Sequence, residues 1–259
     1  MFRPQGLHAL ALAFMAAASC AAPAIAASNS VVVSGLADIW LAGQPAGTIL
    51  NGGFPSSDVA PTNSPVPASA GLNLTAGSYL TVSATGSTDY NGCASPTPDG
   101  GGPCGVFTAP GALSISAYKG PANALVGVFL DANVPSGVAP AGLDFSTPAS
   151  QAQASLSPLL NQVFFIGDGL TGTGTGTVQR FVIPAGATRL FLASADGVGA
   201  NYNNSGSFSV VVADAVGPAA VPAVSPANLV LMALMLAAGG AYLLANRARA
   251  RAHARRPDA

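Results

Sequence analysis

The chain has 259 residues, of which 7% are charged, far below the roughly 25% of an average soluble domain. It holds no Glu, one Lys (Lys119) and two His (His8 and His253), with 31 Gly and 21 Pro. Long soluble helices and coiled coils need Glu, Lys and Ala in amphipathic repeats, so a helical bundle is excluded and a turn-dense, β-rich exported domain is expected. The net charge of −1 hides a segregation. Between residues 27 and 220, Lys119, Arg180 and Arg189 stand against nine Asp, a balance of −6, while Arg247, Arg249, Arg251, Arg255 and Arg256 crowd the end. An acidic middle repels phosphates, which excludes nucleic-acid binding.

In chain order, residues 1–26 read as a secretory signal. Arg3 and His8 lie in a short polar start, residues 9–19 are apolar, and Ala24-Ile25-Ala26 supplies the small residues of a cleavage site before Ala27. The apolar run is short for a membrane span. Ala17-Ala18-Ser19-Cys20 forms a weak lipobox, an alternative in which lipidation of Cys20 leaves a lipoprotein.

Residues 27–217 carry short β-branched or alternating runs between turn signals, the pattern of an all-β sandwich. Strands are expected over 30–34, 79–84, 112–118, 124–130, 163–166, 177–183, 188–194 and 207–212. In the second of these Leu80, Val82 and Ala84 alternate with Thr81 and Ser83, giving one apolar face. Trp40, beside Ile39 and Leu41, is either a core residue or a stacking platform for sugar. Cys93 and Cys104 remain as an even pair in an exported chain and are expected to form a disulfide; without a neighbouring His they make a poor zinc site. Residues 151–162, with Leu156, Leu159 and Leu160, suggest one or two helical turns. Residues 167–176 alternate Gly with Thr and read as a mobile loop or solvent-facing edge. Pro184-Ala185-Gly186 is a tight connection between strands.

Chemistry concentrates at residues 196–210. Asp196 offers a carboxylate, Asn203 and Asn204 two adjacent amides, and the loop between them free carbonyls. Calcium takes six to eight hard oxygen ligands of these kinds. The same residues, Asp-Gly and Asn-Asn-Ser-Gly, also serve as ordinary turn formers.

At the end of the chain, residues 218–225 form a linker, residues 226–246 are uncharged and mostly apolar, and residues 247–259 are the Arg-rich tail. As a helix, 21 residues span roughly 31 Å, and the positive-inside rule puts the tail in the cytoplasm and the 27–217 domain across the membrane. Val221-Pro222-Ala223-Val224-Ser225-Pro226, the apolar segment and the terminal Arg cluster together resemble the IPTL-CTERM variant of the PEP-CTERM sorting signal. Val221, Pro222, Ser225 and Pro226 carry that motif; Ala223-Val224 stands where Thr-Leu is usual. The resemblance implies an exosortase-type membrane transpeptidase as partner, cleavage near the motif, and delivery to the cell surface or exopolysaccharide.

The string Asn203-Asn204-Ser205-Gly206-Ser207-Phe208-Ser209-Val210, with Asp196 seven residues before Asn203, resembles the closing loop and last strand of the PA-I galactophilic lectins, calcium-dependent β-sandwiches. Residues 72–90 resemble the earlier strand pair of that family. The resemblance implies a jelly-roll or galactose-binding-like sandwich. It also implies calcium held by the side chains of Asp196, Asn203 and Asn204 and the carbonyls of Ala200 and Tyr90, with Asp196, Gly197 and Asn203 facing a sugar. Residues 91–105 lack the His and Gln that the lectins offer to sugar, and residues 28–70 and 121–162 have no counterpart in the minimal lectin. Asp38-Ile39-Trp40-Leu41-Ala42-Gly43 and Phe165-Ile166-Gly167-Asp168-Gly169-Leu170-Thr171 are similar to segments of an exported bacterial family of no assigned activity.

With no His and no Glu between residues 27 and 220, Ser-His-Asp and Cys-His catalysis and most zinc sites are excluded. The expectation is a non-enzymatic, exported calcium-binding module that binds carbohydrate at the surface or in the matrix. The alternative is a surface protein in which calcium only stabilises the fold.

Overall fold

The computed structural model describes residues 26–90 and 92–215, together with six positions between 234 and 241. The expected signal peptide with Cys20, the sorting motif, the membrane helix as a whole and the Arg-rich tail lie outside the described residues. Among those described, no helix is long and apolar enough to cross a membrane.

The strands are β1 (Ser28–Ser34), β2 (Ile49–Leu50), β3 (Asp58–Val59), β4 (Val66–Pro67), β5 (Tyr79–Tyr90), β6 (Cys93–Ala94), β7 (Val106–Ala109), β8 (Tyr118–Pro121) and β9 (Leu125–Leu130). They continue with β10 (Leu143–Asp144), β11 (Ser155–Leu156), β12 (Val163–Phe165), β13 (Leu170–Gly172), β14 (Thr175–Val178), β15 (Arg180–Val182), β16 (Arg189–Ser194) and β17 (Ser205–Ala215). One α-helical turn, α1 (Pro148–Gln151), and three short 3₁₀ turns interrupt them. The protein is mostly β, in several sheets with few helices.

Two sheets dominate. One runs β1-β17-β5-β15-β11, with β6 pairing the end of β5; the other runs β12-β9-β16-β4. Their buried residues belong to one core: Leu80, Val82, Phe208 and Val210 from the first, Val126, Val128, Leu190 and Leu192 from the second. Phe164 of β12 and Phe181 of β15 meet across that core at 5.5 Å between ring centroids. The alternation in β5 buries Leu80, Val82 and Ala84, as their spacing predicts. All six residues of β9 are buried, which explains why its sequence is continuously apolar and not alternating. Trp40 is 1% exposed and its indole N–H donates to the Ser116 carbonyl at 3.0 Å. It is a core residue, not a sugar platform.

Several expected elements differ. Residues 112–118 do not form a strand: Leu113 and Ser114 take positive φ and Ala112 bridges Ile115, so the chain turns there and extends only from Tyr118. Helix appears at Pro148–Gln151, not over 151–162, because Thr147 caps that turn by accepting from the Ser150 N–H and Pro148 presets its first residue. Beyond it, Ser155–Leu156 pairs with β15. The expected 177–183 strand breaks at Gln179, whose buried amide donates to the carbonyls of Gln151 and Gln153. The Gly/Thr stretch folds into the β13–β14 hairpin, held by Asp168 accepting from Leu170 N and Gly174 N.

Candidate functional site

The site lies where the last two long strands meet. β16 ends at Ser194 in one sheet and β17 begins at Ser205 in the other, so residues 195–204 cross between sheets. The antiparallel register of β17 on β5 sets Ser205 opposite Asp89. Tyr90, 106 positions before Asp196 in sequence, is thereby brought to the start of β17. Tyr90, Asp196 and Gly197 line one cleft of about 300 Å3, together with Phe54 and Phe107. Phe54 is 45% exposed there.

Backbone geometry shapes the loop. The Ala200 N–H donates to Gly197 O, and a 3₁₀ turn follows over Asn201–Asn203. Gly199 has φ of +68°, and a Cβ there would collide with Leu50 O and come within 2.8 Å of Gly52 N. Only glycine gives both the conformation and the approach.

The side chains of the loop divide sharply. Asn201 is wholly buried, and its amide reaches the carbonyls of Gly35, Ala37 and Ser194 at 3.0–3.1 Å. Asn204 is also buried and donates to Gly35 O at 3.2 Å. Asp196 is 4% exposed; one of its oxygens accepts from Gly197 N at 2.6 Å. Asn203 is exposed on the last residue of the 3₁₀ turn. Of the expected ligands, the loop thus holds Asp196, Ala200 and Asn204 inside and Asn203 at the surface, with Tyr90 beside them across the cleft.

Sequence reasoning missed the other half of the site. The segment after β1 runs beneath the loop and presents two fully buried carboxylates, Asp38 and Asp58. Asp38 accepts from Trp40 N and, through its second oxygen, from Gly199 N at 2.9 Å. Asp58 accepts from Asn201 N at 2.8 Å. Asn63 staples the same segment, donating to Leu36 O and accepting from Val59 N. The one available signal was Asp38 preceding Ile39-Trp40-Leu41, an N-cap pattern for the 3₁₀ turn that follows. Nothing adjacent to Asp58 distinguishes it from a turn residue.

Electrostatics follow from burial. Desolvation pushes the Asp38 carboxyl well above the usual carboxylate range, and the adjoining Asp58 carboxyl adds to that. Asp58 is also raised, chiefly by burial. Asp196 is pushed up to about 6 by burial, with the Gly197 N–H and the Asn204 side chain opposing and Asp58 reinforcing the shift. Among the described residues the ion pair formed is Lys119 with Asp144, at the surface and outside this cluster.

No family model, no curated protein and no solved structure matches the chain. The site therefore stands on its own chemistry. Among the described residues, no three His, Cys, Asp or Glu side chains converge as a metal cluster, but calcium draws as readily on amide and carbonyl oxygens. Asp196 Oδ2 and Asn204 Oδ1 are buried and accept no hydrogen bond. Hard oxygen acceptors left without donors fit a hard cation. The disulfide joins Cys93 to Cys104, with Cα atoms 5.8 Å apart, and Cys104 borders the cleft.

Proposed function

We propose that this is an exported, non-catalytic calcium-binding protein whose residues 27–217 form a jelly-roll-like β-sandwich and bind carbohydrate at the cleft between Tyr90 and Asp196. The observation that carries the reading is the pair of unpartnered buried oxygens, Asp196 Oδ2 and Asn204 Oδ1, next to that cleft. Asp196 and Asn204 would hold the ion with the Ala200 and Tyr90 carbonyls, and Asn203 would reach it from the rim. Bound calcium supplies a site for paired sugar hydroxyls. Asp196, Gly197 and Asn203 offer the hydrogen bonds, and exposed Phe54 gives an apolar face of the kind that sugar rings pack on. The apolar and Arg-rich end of the chain supports processing by an exosortase-type transpeptidase and a place at the cell surface or in exopolysaccharide.

Burial of Asp196 and Asn204 also favours a second reading, in which calcium ties the loop to the fold and no glycan binds. Thermal unfolding of the purified protein tests the shared element. A ligand at a thousand times its dissociation constant adds about 4 kcal/mol, several degrees in melting temperature. Calcium is expected to raise the melting temperature of wild type and not of Asp196→Ala. Equal response of the two proteins, or none from either, removes the ion from this loop. A glycan array then separates the readings: binding abolished by chelator supports the carbohydrate module, and silence across polysaccharides supports the stabilising ion.

A further inference from the structure

Six buried side-chain oxygens accept no hydrogen bond among the described residues, and four of them belong to one neighbourhood: Asp58 Oδ1, Asp196 Oδ2, Asn201 Oδ1 and Asn204 Oδ1. All four residues are at least nine-tenths buried. They are linked to one another. The amides of Asn201 and Asn204 converge on Gly35 O, the Asn201 N–H donates to Asp58, and Asp196 feels both the Asn204 side chain and the charge of Asp58. The Asn201 amide hydrogens are spent on backbone carbonyls, and the Asn204 amide donates to Gly35 O. What remains is a set of acceptors with no donor, a costly arrangement in an interior unless a cation joins it.

We propose that Asp58 is a ligand of the ion held by Asp196 and Asn204, with the Asn201 amide oxygen as a further ligand atom. This rests on the calcium reading of the loop and changes its character. Asp58 comes from the 28–70 segment, which a minimal lectin-type sandwich lacks. It brings a second carboxylate, and with Asn201 it occupies coordination positions that water or sugar would otherwise take. The ion is then a cross-link between the segment beneath the loop and the loop itself. Asp38 does not ligate: its two oxygens are engaged by Trp40 N and Gly199 N, and it positions the loop backbone.

Calcium titration of the full chain by calorimetry separates this from the simpler site. Asp58→Asn, nearly isosteric, is expected to weaken calcium at least tenfold, while Asp144→Asn, in the surface ion pair with Lys119 outside this cluster, changes it less than threefold. Wild-type affinity in Asp58→Asn, with binding lost in Asp196→Ala, overturns the role of Asp58 and leaves the loop reading intact; Asp58 Oδ1 is then met by a proton shared with Asp38. No calcium binding by wild type overturns both. Should Asp58→Asn fail to fold, a lanthanide-loaded wild-type crystal decides. An anomalous peak within about 2.3–2.6 Å of the Asp58 carboxylate supports the assignment. A peak on Asp196 and Asn204 that lies beyond reach of Asp58 defeats it.

Discussion

At the scale of single residues, Asn201 and Asn203 make an informative pair, two positions apart in one turn and alike in chemistry. Asn201 is 0% exposed and its amide serves three carbonyls from two stretches of chain. Asn201→Ala strands those carbonyls and opens a cavity, and the cost expected in the metal-free protein is about 3 kcal/mol. Asn203→Ala, on the exposed side of the same turn, should stay within about 0.5 kcal/mol. Urea unfolding in chelator measures both, and equal losses would contradict this division. Gly199→Ala belongs to the same scale. It must strain a positive φ and push against Leu50 O and Gly52 N, at a cost of at least about 2 kcal/mol. A weaker calcium response should accompany it, because the displaced backbone carries Ala200.

At the scale of elements, the disulfide fixes the stretch that follows β5. Cys93 lies in β6, paired to Tyr90 across a tight turn, and Cys104 ends a 3₁₀ turn eleven positions later. Chain-entropy arithmetic for so short a loop gives about 3 kcal/mol. Reduction should therefore lower the melting temperature by several degrees, and the calcium response should weaken if the Tyr90 carbonyl is a ligand. An unchanged calcium response after reduction argues that Tyr90 is not one. Strands were legible where one face alone is apolar. Leu80, Val82 and Ala84 announce the start of β5, but its second half, Thr85 to Tyr90, has no such alternation. There the strand persists because β17 pairs with it along eleven positions and because Thr88, buried, meets the Ser194 hydroxyl at 2.9 Å. Asp196, Asn204 and Tyr90 were legible as a local motif joined by resemblance. Asp38 and Asp58 were not, since their partners, Gly199 N and Asn201 N, are 161 and 143 positions away, and no short-range pattern encodes such a contact.

At the scale of the whole 27–217 domain, charge and burial combine into a pH dependence of unusual simplicity. The segment between residues 27 and 220 has no His and no Glu, so its Asp side chains govern the range from about pH 4 to 7. Asp196 is raised to about 6 and Asp38 and Asp58 are raised with it, burial being the leading cause for each. A carboxyl whose folded pKa exceeds its unfolded value of about 3.9 binds more protons when folded, so stability is lost as pH rises through that interval. For Asp196 alone the loss is on the order of 2–3 kcal/mol. Asp144, lowered to about 2 by the Lys119 ammonium and Ser146, acts oppositely, but its contribution disappears only below pH 4 and does not overlap. The metal-free protein should therefore melt several degrees lower at pH 7.5 than at pH 4.5. Calcium at the proposed site would supply the positive charge that those carboxylates lack, and protons would compete with it for the same oxygens. The calcium-induced rise in melting temperature should accordingly grow from pH 4.5 to 7.5 and offset the loss. Scans at four pH values, with and without the ion, test both slopes. A metal-free protein that becomes more stable towards pH 7.5 would mean that these carboxylates are solvated and ionised without an ion, and the driving force for binding calcium here would be gone.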